Sequence, residues 1–404
     1  MRIIIVGNGV AGTIAGKTIR ELDSQAEILI YSEERHPYYP RPNLIDFLAG
    51  IIPLEKIFAF PEGWADRQRL QINLGRKIVG INPERPSISL ENGEIVTGDY
   101  LVLTSGARPL SPPLAGLEKK GVFTLRTLDD VLELLEYLTS GPEVLILGGG
   151  LLGLETARAL CQRGVNRVSV AEYFDRLLPR QLDENGAGQL QKELEKIGIK
   201  FYLGKEAVEV LGNGSVSGVR FKDGQVIPAG ALILASGIKP RTELAEACGL
   251  LCSRGVLVDD YLRTSHSKVY AAGDVVEHRG KIYGLIPAAF DQARVLAYNL
   301  CGQIKRYEGT VPFNTLKVAG IYLTSIGLVN PENGDYEILV KHEPEKGIYK
   351  KLILKNDVPV GAIWLGVKKG VQEISRVIQA GKSLTGYKER VFDDNFDFSL
   401  ILES

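Results

Sequence analysis

Two glycine-rich loops are the residues whose spacing points most directly to chemistry. Each has G-x-G-x-x-G spacing and follows a short apolar run. In such a loop the first glycine permits a tight turn, the second lets backbone approach a pyrophosphate, and the third lets a helix pack closely on the sheet. The helix that follows points its N-terminal amides at the phosphates. The glycines are Gly7, Gly9 and Gly12 in the first loop and Gly148, Gly150 and Gly153 in the second.

An acidic residue follows each glycine loop. Glu33 and Glu172 each lie about 20 residues after the last glycine, the spacing of a carboxylate that accepts from a ribose hydroxyl. The alternative for Glu33 is a solvated acid at a strand end. A carboxylate at the second loop would repel a 2′-phosphate, which favours NADH over NADPH. Arg176 and Arg180 nearby keep NADPH open as the other option.

The elements that must position these residues occur twice. Apolar strands are predicted at Ile3–Val6 and Glu27–Tyr31, with a helix between them that ends near Leu22. The same order returns with helix Leu151–Arg163 and strand Arg167–Ala171. LVLTSGARP and LILASGIKP then end the two units in the same way. A duplicated βαβ unit predicts an α/β fold with two nucleotide cofactors.

Composition limits the class of protein. The chain has 404 residues, 45% of them hydrophobic, and a net charge of −1. These values predict two or three domains and favour neither a nucleic-acid partner nor a membrane surface. No apolar run reaches transmembrane length, a strand begins within three residues of Met1, and four cysteines suggest no disulfide framework. The sequence therefore favours a cytoplasmic location.

These motifs carry a family resemblance that covers about residues 1–302. GNGVAG, SGARP, GGGLLGLE, SGIKP and TSHSKVYAAGDV together resemble the two-dinucleotide-binding-domain flavoproteins of the pyridine nucleotide–disulfide oxidoreductase superfamily. The resemblance implies two Rossmann-like domains, for FAD and NAD, with a small C-terminal α+β domain. The predicted bounds are 1–110 with 231–310 for the FAD domain, 111–230 for the NAD domain, and 311–404 for an interface or partner domain.

The resemblance also implies which residues contact each cofactor. Glu155, in the GLE stretch, corresponds to a family glutamate beside the nicotinamide, and Asp274 to an aspartate on the ribityl chain. The implied FAD contacts are Gly7, Gly9, Val10, Ala11, Gly12, Glu33, Glu34, Arg41, Pro42, Ser105, Gly106, Arg126, Gly273, Asp274 and Pro287. The implied NADH contacts are Gly148, Gly150, Leu151, Leu152, Gly153, Glu155, Glu172 and Gly237. No catalytic acid or base and no metal ligand is expected.

The cysteines indicate the branch. Disulfide reductases of this superfamily need a cysteine pair early in the FAD domain, and peroxide-reducing relatives need one cysteine there. This chain has no cysteine before Cys161. Cys161 and Cys301 lie on predicted helices and are interpreted as packing residues. Cys248 and Cys252, spaced CGLLC, could suggest a redox or metal site but fall where relatives have an ordinary loop.

Electrons that reach the flavin as a hydride from NADH must then leave it directly. The closest resemblance is to NADH:rubredoxin reductases and to the flavin module of NADH-dependent nitrite reductases, through SEERHPYYPRPNL, RQLDENG, GLIPAA and LKVAGIYLTSIG. Asp46 is an acid near the place where ferredoxin reductases of monooxygenase systems carry lysine. This difference disfavours the ferredoxin-reductase branch for this chain. The expected acceptor is a rubredoxin or ferredoxin-type iron–sulfur protein, taking single electrons.

Three alternatives stay open at this point. One is an NADH oxidase that reduces oxygen, another is a flavin subunit of a larger redox complex, and the third is a redox-sensing interaction protein. The C-terminal region implies a possible homodimer, a partner platform or a cover for the flavin. Trp364 is interpreted as core. The tail Val391–Leu402 is either a docked terminus or a partner contact.

Overall fold

The structure is a computed structural model that describes residues 1–318, 321–332 and 334–403. Ala319 and Gly320, within the LKVAGIYLTSIG motif, lie outside the described residues. The helices are α1 (Val10–Leu22), α2 (Asn43–Leu48), α3 (Trp64–Arg67), α4 (Leu128–Leu138), α5 (Leu151–Arg163), α6 (Glu184–Glu195), α7 (Glu243–Ala247), α8 (Ile286–Leu300), α9 (Val371–Ala380) and α10 (Ser399–Leu402).

The strands are short, as is usual for a duplicated α/β fold. They are β1 (Arg2–Val6), β2 (Glu27–Tyr31), β3 (Gln71–Asn73), β4 (Ile78–Asn82), β5 (Ser87–Leu90), β6 (Ile95–Thr97), β7 (Tyr100–Leu103), β8 (Ala107–Pro109), β9 (Val122–Thr124), β10 (Val144–Leu147), β11 (Val168–Ala171), β12 (Lys200–Tyr202), β13 (Ala207–Leu211), β14 (Gly218–Phe221), β15 (Val226–Pro228), β16 (Ala231–Leu234), β17 (Ile238–Pro240), β18 (Val256–Val258), β19 (Val269–Ala271), β20 (Val276–His278), β21 (Phe313–Val318), β22 (Ile321–Gly327), β23 (Glu337–Glu343), β24 (Ile348–Lys355) and β25 (Val358–Leu365).

Two parallel five-stranded sheets organise the first three quarters of the chain. The first has the order β19-β7-β1-β2-β3 and the second has the order β12-β11-β10-β16-β9. Their central strands, β1 and β10, are continuous apolar runs because both faces of each sheet are covered. Each sheet carries a small antiparallel sheet beside it, β4-β5-β6 in the first unit and β13-β14-β15 in the second. The α/β class and the internal repeat are confirmed.

The second unit extends further along the chain than the predicted boundary at residue 231. Strand β16 pairs in parallel with β10, Val144 opposite Ala231, so it belongs to the second sheet. The chain crosses between the two units at a separate two-stranded sheet, where β8 and β17 run antiparallel. The crossing back to the first unit therefore comes near Gly237, after β16, and not before it.

Two helices begin at defined capping positions beside the predicted site residues. Helix α4 begins at Leu128, because the Thr127 side chain caps it and accepts from the Asp130 amide at 3.1 Å. Arg126 therefore precedes this helix and does not belong to its first turn. Helix α8 starts at Ile286 and has Pro287 in its first turn.

A third layer of structure follows the two units. The order β21-β22-β25-β24-β23 forms an antiparallel sheet, and Asn356 and Asp357 turn the chain between β24 and β25 with positive φ at both residues. One sheet face packs on the second unit and the other packs on α9 and the C-terminal tail. Trp364 is a core residue, 2% exposed, as predicted. The tail is a docked terminus, since its apolar side chains Phe392, Phe398 and Ile401 are buried.

Candidate functional site

One long cleft of about 1970 Å³ brings the two units together. Most of the predicted cofactor residues line it, although the sequence separates them by more than 250 positions. The lining includes Gly7, Gly9, Val10, Ala11, Glu33, Glu34, Arg41, Pro42, Ser105, Gly106, Arg126, Gly273 and Asp274 from the first unit, and Gly148, Gly150, Leu151, Leu152, Glu155, Glu172 and Gly237 from the second. Gly12, Gly153 and Pro287 do not line the cleft.

The glycines divide into two kinds. A Cβ at Gly12 would lie 2.0 Å from the Gly7 carbonyl oxygen, and one at Gly153 would lie 1.9 Å from that of Gly148. At these two positions the backbone of the strand-to-helix turn leaves no room for a side chain, so glycine is required for close packing. A Cβ at Gly9 or at Gly150 meets nothing within 4 Å, because both positions face the open cleft.

The space above Gly9 and Gly150 fits a dinucleotide. Helices α1 and α5 begin at the next residue in each case, so their free N-terminal amides face the same space. In the first loop the side-chain amide nitrogen of Asn8 is buried and has no hydrogen-bond partner among the described residues. A phosphate or sugar oxygen would supply the missing acceptor. Both loops therefore have the shape and the donors that a bound pyrophosphate requires.

The acid of the first unit pairs with an arginine that is distant in the sequence. Glu33 forms an ion pair with Arg241, which directly follows β17. The backbone of Arg241 is fixed to the first unit: its amide donates to the Gly106 carbonyl at 3.0 Å, and its carbonyl accepts from the Ser105 hydroxyl at 3.2 Å. Sequence reasoning missed Arg241. The available signal was a difference between the two copies of the repeat: SGARP is followed by the apolar Leu110, whereas SGIKP is followed by Arg241.

The proline- and tyrosine-rich loop after Glu34 builds a buried charged cluster. The Arg41 guanidinium donates to the Glu34 carboxylate, and the Tyr39 hydroxyl also donates to Glu34 while accepting from the Leu128 amide at 2.8 Å. Burial works to raise the pKa of Glu34, but the hydrogen bond and positive charge of Arg41 outweigh it and hold this pKa below its usual value. Arg41, an implied FAD contact, is thus paired with Glu34.

A second ion pair closes the far end of the first unit. Arg126 Nη2 lies 2.9 Å from Asp274 Oδ2, so two predicted FAD contacts from distant parts of the chain meet directly. The neighbouring Gly273 amide donates to the side chain of Gln292 on α8 at 2.8 Å, and Gln292 is buried. Helix α8 therefore fixes the AGD turn, while Pro287 shapes the start of that helix without facing the cleft.

The acid of the second unit is buried against its own glycine loop. Glu172 accepts from the Gly149 amide at 2.5 Å and from the Phe174 amide at 2.9 Å, and is 7% exposed. Each carboxylate oxygen keeps lone-pair capacity toward the cleft that it lines. Tyr173 and Phe174, which sequence reasoning did not select, project exposed rings into the same rim.

Glu155 stands on α5 at the meeting of the two units. Burial raises its pKa to about 7, while the charge of Arg158 acts to lower it and that of Asp46 to raise it. Arg158 Nη2 lies 3.9 Å from Asp46 Oδ1. The negative charge of Asp46, which the sequence analysis singled out, is therefore met by an arginine one helical turn from Glu155.

The cysteines lie outside this cleft. None of the cleft-lining residues in the described part of the chain is a cysteine. Burial raises the pKa of the thiols of Cys161, Cys248 and Cys301, and it raises that of Cys252 to about 11, so all four stay protonated near neutral pH. Over residues 1–318, 321–332 and 334–403, no group of three His, Cys, Asp or Glu side chains could hold a metal ion.

The third domain is tied to the cleft by a buried network. The segment Pro179–Gln181 lines the cleft, and Asp183, just after it, caps α6. The Tyr349 hydroxyl donates to Asp183 at 2.6 Å and Lys351 Nζ donates to it at 2.8 Å. Asn330 donates to the backbone carbonyls of Pro179 and Leu182, both at 3.0 Å. The RQLD motif therefore joins the cleft to the C-terminal sheet.

Comparison with known proteins matches two successive parts of the chain. Residues 1–293 match the pyridine nucleotide-disulphide oxidoreductase family, and residues 312–382 match the rubredoxin NAD+ reductase C-terminal domain. The chain belongs to the pyridine nucleotide-disulphide oxidoreductase family. None of the helices in the described ranges is long and apolar enough to cross a membrane.

Individual relatives share most of this chain. A nitrite reductase [NAD(P)H] of Bacillus subtilis is 35% identical over 94% of this chain and 47% of its own length. An NADH-rubredoxin oxidoreductase of Clostridium acetobutylicum is 28% identical over 95% of both chains. The crystal structure of NADH:rubredoxin oxidoreductase from Clostridium acetobutylicum has a TM-score of 0.80, with 27% identity over 96% of this chain and 97% of that chain. The chain thus spans about half the length of the nitrite reductase.

Proposed function

We propose that this chain carries electrons from NADH through FAD to a small iron–sulfur protein of the rubredoxin or ferredoxin type. The observation that supports the proposal most is the absence of cysteine from the cleft lining in the described part of the chain. A thiol relay beside the flavin would need a low-pKa cysteine there. With none, electrons leave the cofactor for an outside acceptor.

The protein's contribution is binding, orientation and charge. Flavin accepts two electrons together from a reduced nicotinamide and releases them singly, so the cofactor supplies the redox chemistry. The loop at Gly9 and helix α1 would hold the FAD pyrophosphate, and the loop at Gly150 and helix α5 that of NADH. Glu172 would accept from the NADH ribose, which favours NADH over NADPH.

The matched domain at residues 312–382 supports the choice of acceptor. Its name describes the C-terminal domain of rubredoxin NAD+ reductases, and one relative that this chain matches over 95% of both lengths is an NADH-rubredoxin oxidoreductase. The C-terminal sheet would then be the partner platform, joined to the cleft through Asp183 and Lys351. A homodimer and a cytoplasmic location stay predictions.

A second candidate function is the flavin unit of a larger reductase. The 35% identity to a nitrite reductase about twice the length of this chain favours it. In that case the acceptor would be an iron–sulfur centre of a neighbouring domain or chain. Copurification of an iron–sulfur protein at fixed stoichiometry would favour this candidate over a freely diffusing acceptor.

The experiment is anaerobic reduction followed by a choice of acceptors. NADH should bleach the flavin band near ~450 nm rapidly and NADPH slowly, and the reduced protein should then pass electrons to rubredoxin or a [2Fe–2S] ferredoxin faster than to oxygen. A matched variant with Cys161, Cys248, Cys252 and Cys301 all replaced by serine should keep both rates. Loss of acceptor reduction in that variant, or faster reduction of oxygen than of either protein, would contradict the proposal.

A further inference from the structure

The ion pair between Glu33 and Arg241 joins residues 208 positions apart in the chain. Its side chains are about 40% exposed, 45% for Glu33 and 37% for Arg241. An exposed ion pair adds little to stability, because ordering two long side chains offsets a Coulomb attraction that water screens. Stability alone therefore does not account for this contact.

The backbone of Arg241 is held much more firmly than its side-chain exposure suggests. Its amide and its carbonyl are both hydrogen-bonded to the Ser105–Gly106 turn, at 3.0 and 3.2 Å. That turn and both members of the ion pair line the cleft. These two backbone hydrogen bonds fix the position from which the Arg241 guanidinium reaches Glu33.

Glu33 lies where the adenosine ribose of a dinucleotide on the Gly7–Gly12 loop would lie. A carboxylate there must be ionised and correctly turned to accept from ribose hydroxyls. The planar guanidinium of arginine can hold one carboxylate oxygen while leaving the remaining lone pairs free for a hydroxyl donor. An arginine beside Glu33 therefore fixes the rotamer of its side chain.

We propose that Arg241 is a positioning residue for FAD, which orients Glu33 toward the adenosine ribose and closes that end of the cleft. Arg241 directly follows β17, the strand on which the chain returns from the second unit to the first. The inference depends on FAD binding and not on the identity of the electron acceptor.

The test compares two ligands across matched variants. Apoprotein is titrated with FAD and with an FAD analogue whose adenosine ribose lacks the 2′-hydroxyl, and dissociation constants are measured by flavin fluorescence. The variants are R241M, R241K and E33Q. The matched control is R108M. Arg108 lies on β8, which pairs with β17, and forms an ion pair with Glu243 at the start of α7. Neither Arg108 nor Glu243 lines the cleft.

Wild type and R108M should bind FAD about tenfold more tightly than the deoxy analogue, the size of one lost hydrogen bond to a charged group. R241M and E33Q should bind FAD more weakly and should show a smaller preference for FAD over the deoxy analogue, because the ribose hydroxyl then meets a misoriented carboxylate or a neutral amide. R241K, which keeps the charge without the planar fork, should retain part of the preference. Thermal unfolding of each apoprotein establishes that the variants fold.

Two results would overturn the inference. If R241M keeps the full preference for FAD, Arg241 does not act on the ribose contact. If wild type itself binds the two ligands equally, Glu33 is not a ribose acid and has no contact for Arg241 to organise. Neither result would affect the electron-transfer proposal, which is tested by flavin reduction and acceptor choice.

Discussion

Replacing Lys351 with methionine tests how the C-terminal domain is attached to the cleft. The Lys351 side chain is 7% exposed and its ammonium lies 2.8 Å from Asp183, which is itself 21% exposed. Breaking a buried pair by removing one partner costs about 3–5 kcal/mol, since the other charge is left without compensation. Asp183 would keep its bonds from the Tyr349 hydroxyl and the Gly186 amide, so we expect the lower end, about 3 kcal/mol.

The assay is urea unfolding followed by the fluorescence of Trp364, in a W64F background that removes the only other tryptophan. Trp364 is buried on the opposite face of the same sheet and reports on the C-terminal domain. With an m value of about 2 kcal/mol/M, the expected loss moves the midpoint down by about 1.5 M urea. K346M, which removes an exposed ion pair with Glu343, is the matched control and should leave the midpoint in place.

The effect should also depend on pH in a definite direction. Burial works to raise the pKa of Asp183, but the hydrogen bonds from Lys351 and Tyr349 outweigh it, so the folded-state pKa lies below the unfolded one. The stability from this pair is therefore present above an unfolded pKa of about 3.9 and is lost as pH falls through the folded value. A K351M protein that unfolds at the wild-type midpoint, or a difference that grows in acid, would refute this account.

Three further predictions concern the cleft. Because the pKa of Glu155 is about 7, the rate of flavin reduction by NADH should change with an apparent pKa near that value in wild type and should be independent of pH in E155Q. Relative to E155Q, the free energy of unfolding of wild type should fall as pH rises from 4.5 to about 7. The reason is that folded Glu155 holds a proton that the unfolded chain has released. Gly12→Ala should prevent folding of the first unit, whereas Gly9→Ala should leave apoprotein thermal unfolding unchanged and weaken FAD binding at least about tenfold, measured by flavin fluorescence, because only the cofactor would meet the added methyl group. Glu172→Gln should narrow the preference for NADH over NADPH in rates of flavin reduction, because the carboxylate charge that repels a 2′-phosphate is gone.

Local patterns allowed much of the fold to be predicted. The glycine spacing and the apolar runs each depend on neighbouring residues, and the structure confirms the elements that they indicate. The boundary at residue 231 differs because it was set by chain order, whereas strand membership is decided by pairing. The internal repeat indicates the correct boundary. Strand β7 belongs to the first sheet, so its counterpart β16 belongs to the second.

The partners of the predicted site residues could not be found from sequence. Arg41 was predicted to contact FAD, and its ion pair with Glu34, seven positions earlier, was not foreseen. Arg126 meets Asp274, and Glu33 meets Arg241, across separations that no local pattern encodes. The raised pKa of Glu155 is also a tertiary effect, because its burial depends on the residues that pack around helix α5. Residue types were readable from motifs; their charge environment required the tertiary structure.

The adjacent ends of the second unit have a consequence for protein engineering. The chain leaves the first unit after β8 and returns at β17, and the Leu110 amide donates to the Gly237 carbonyl at 2.9 Å across this junction. A domain whose ends lie side by side is an insertion that can be excised, since a short linker can bridge the gap it leaves. The stretch between residues 111 and 236 should thus serve as an exchangeable nucleotide cassette, provided that the replacement keeps Asp183 and the apolar surface on which the C-terminal sheet packs.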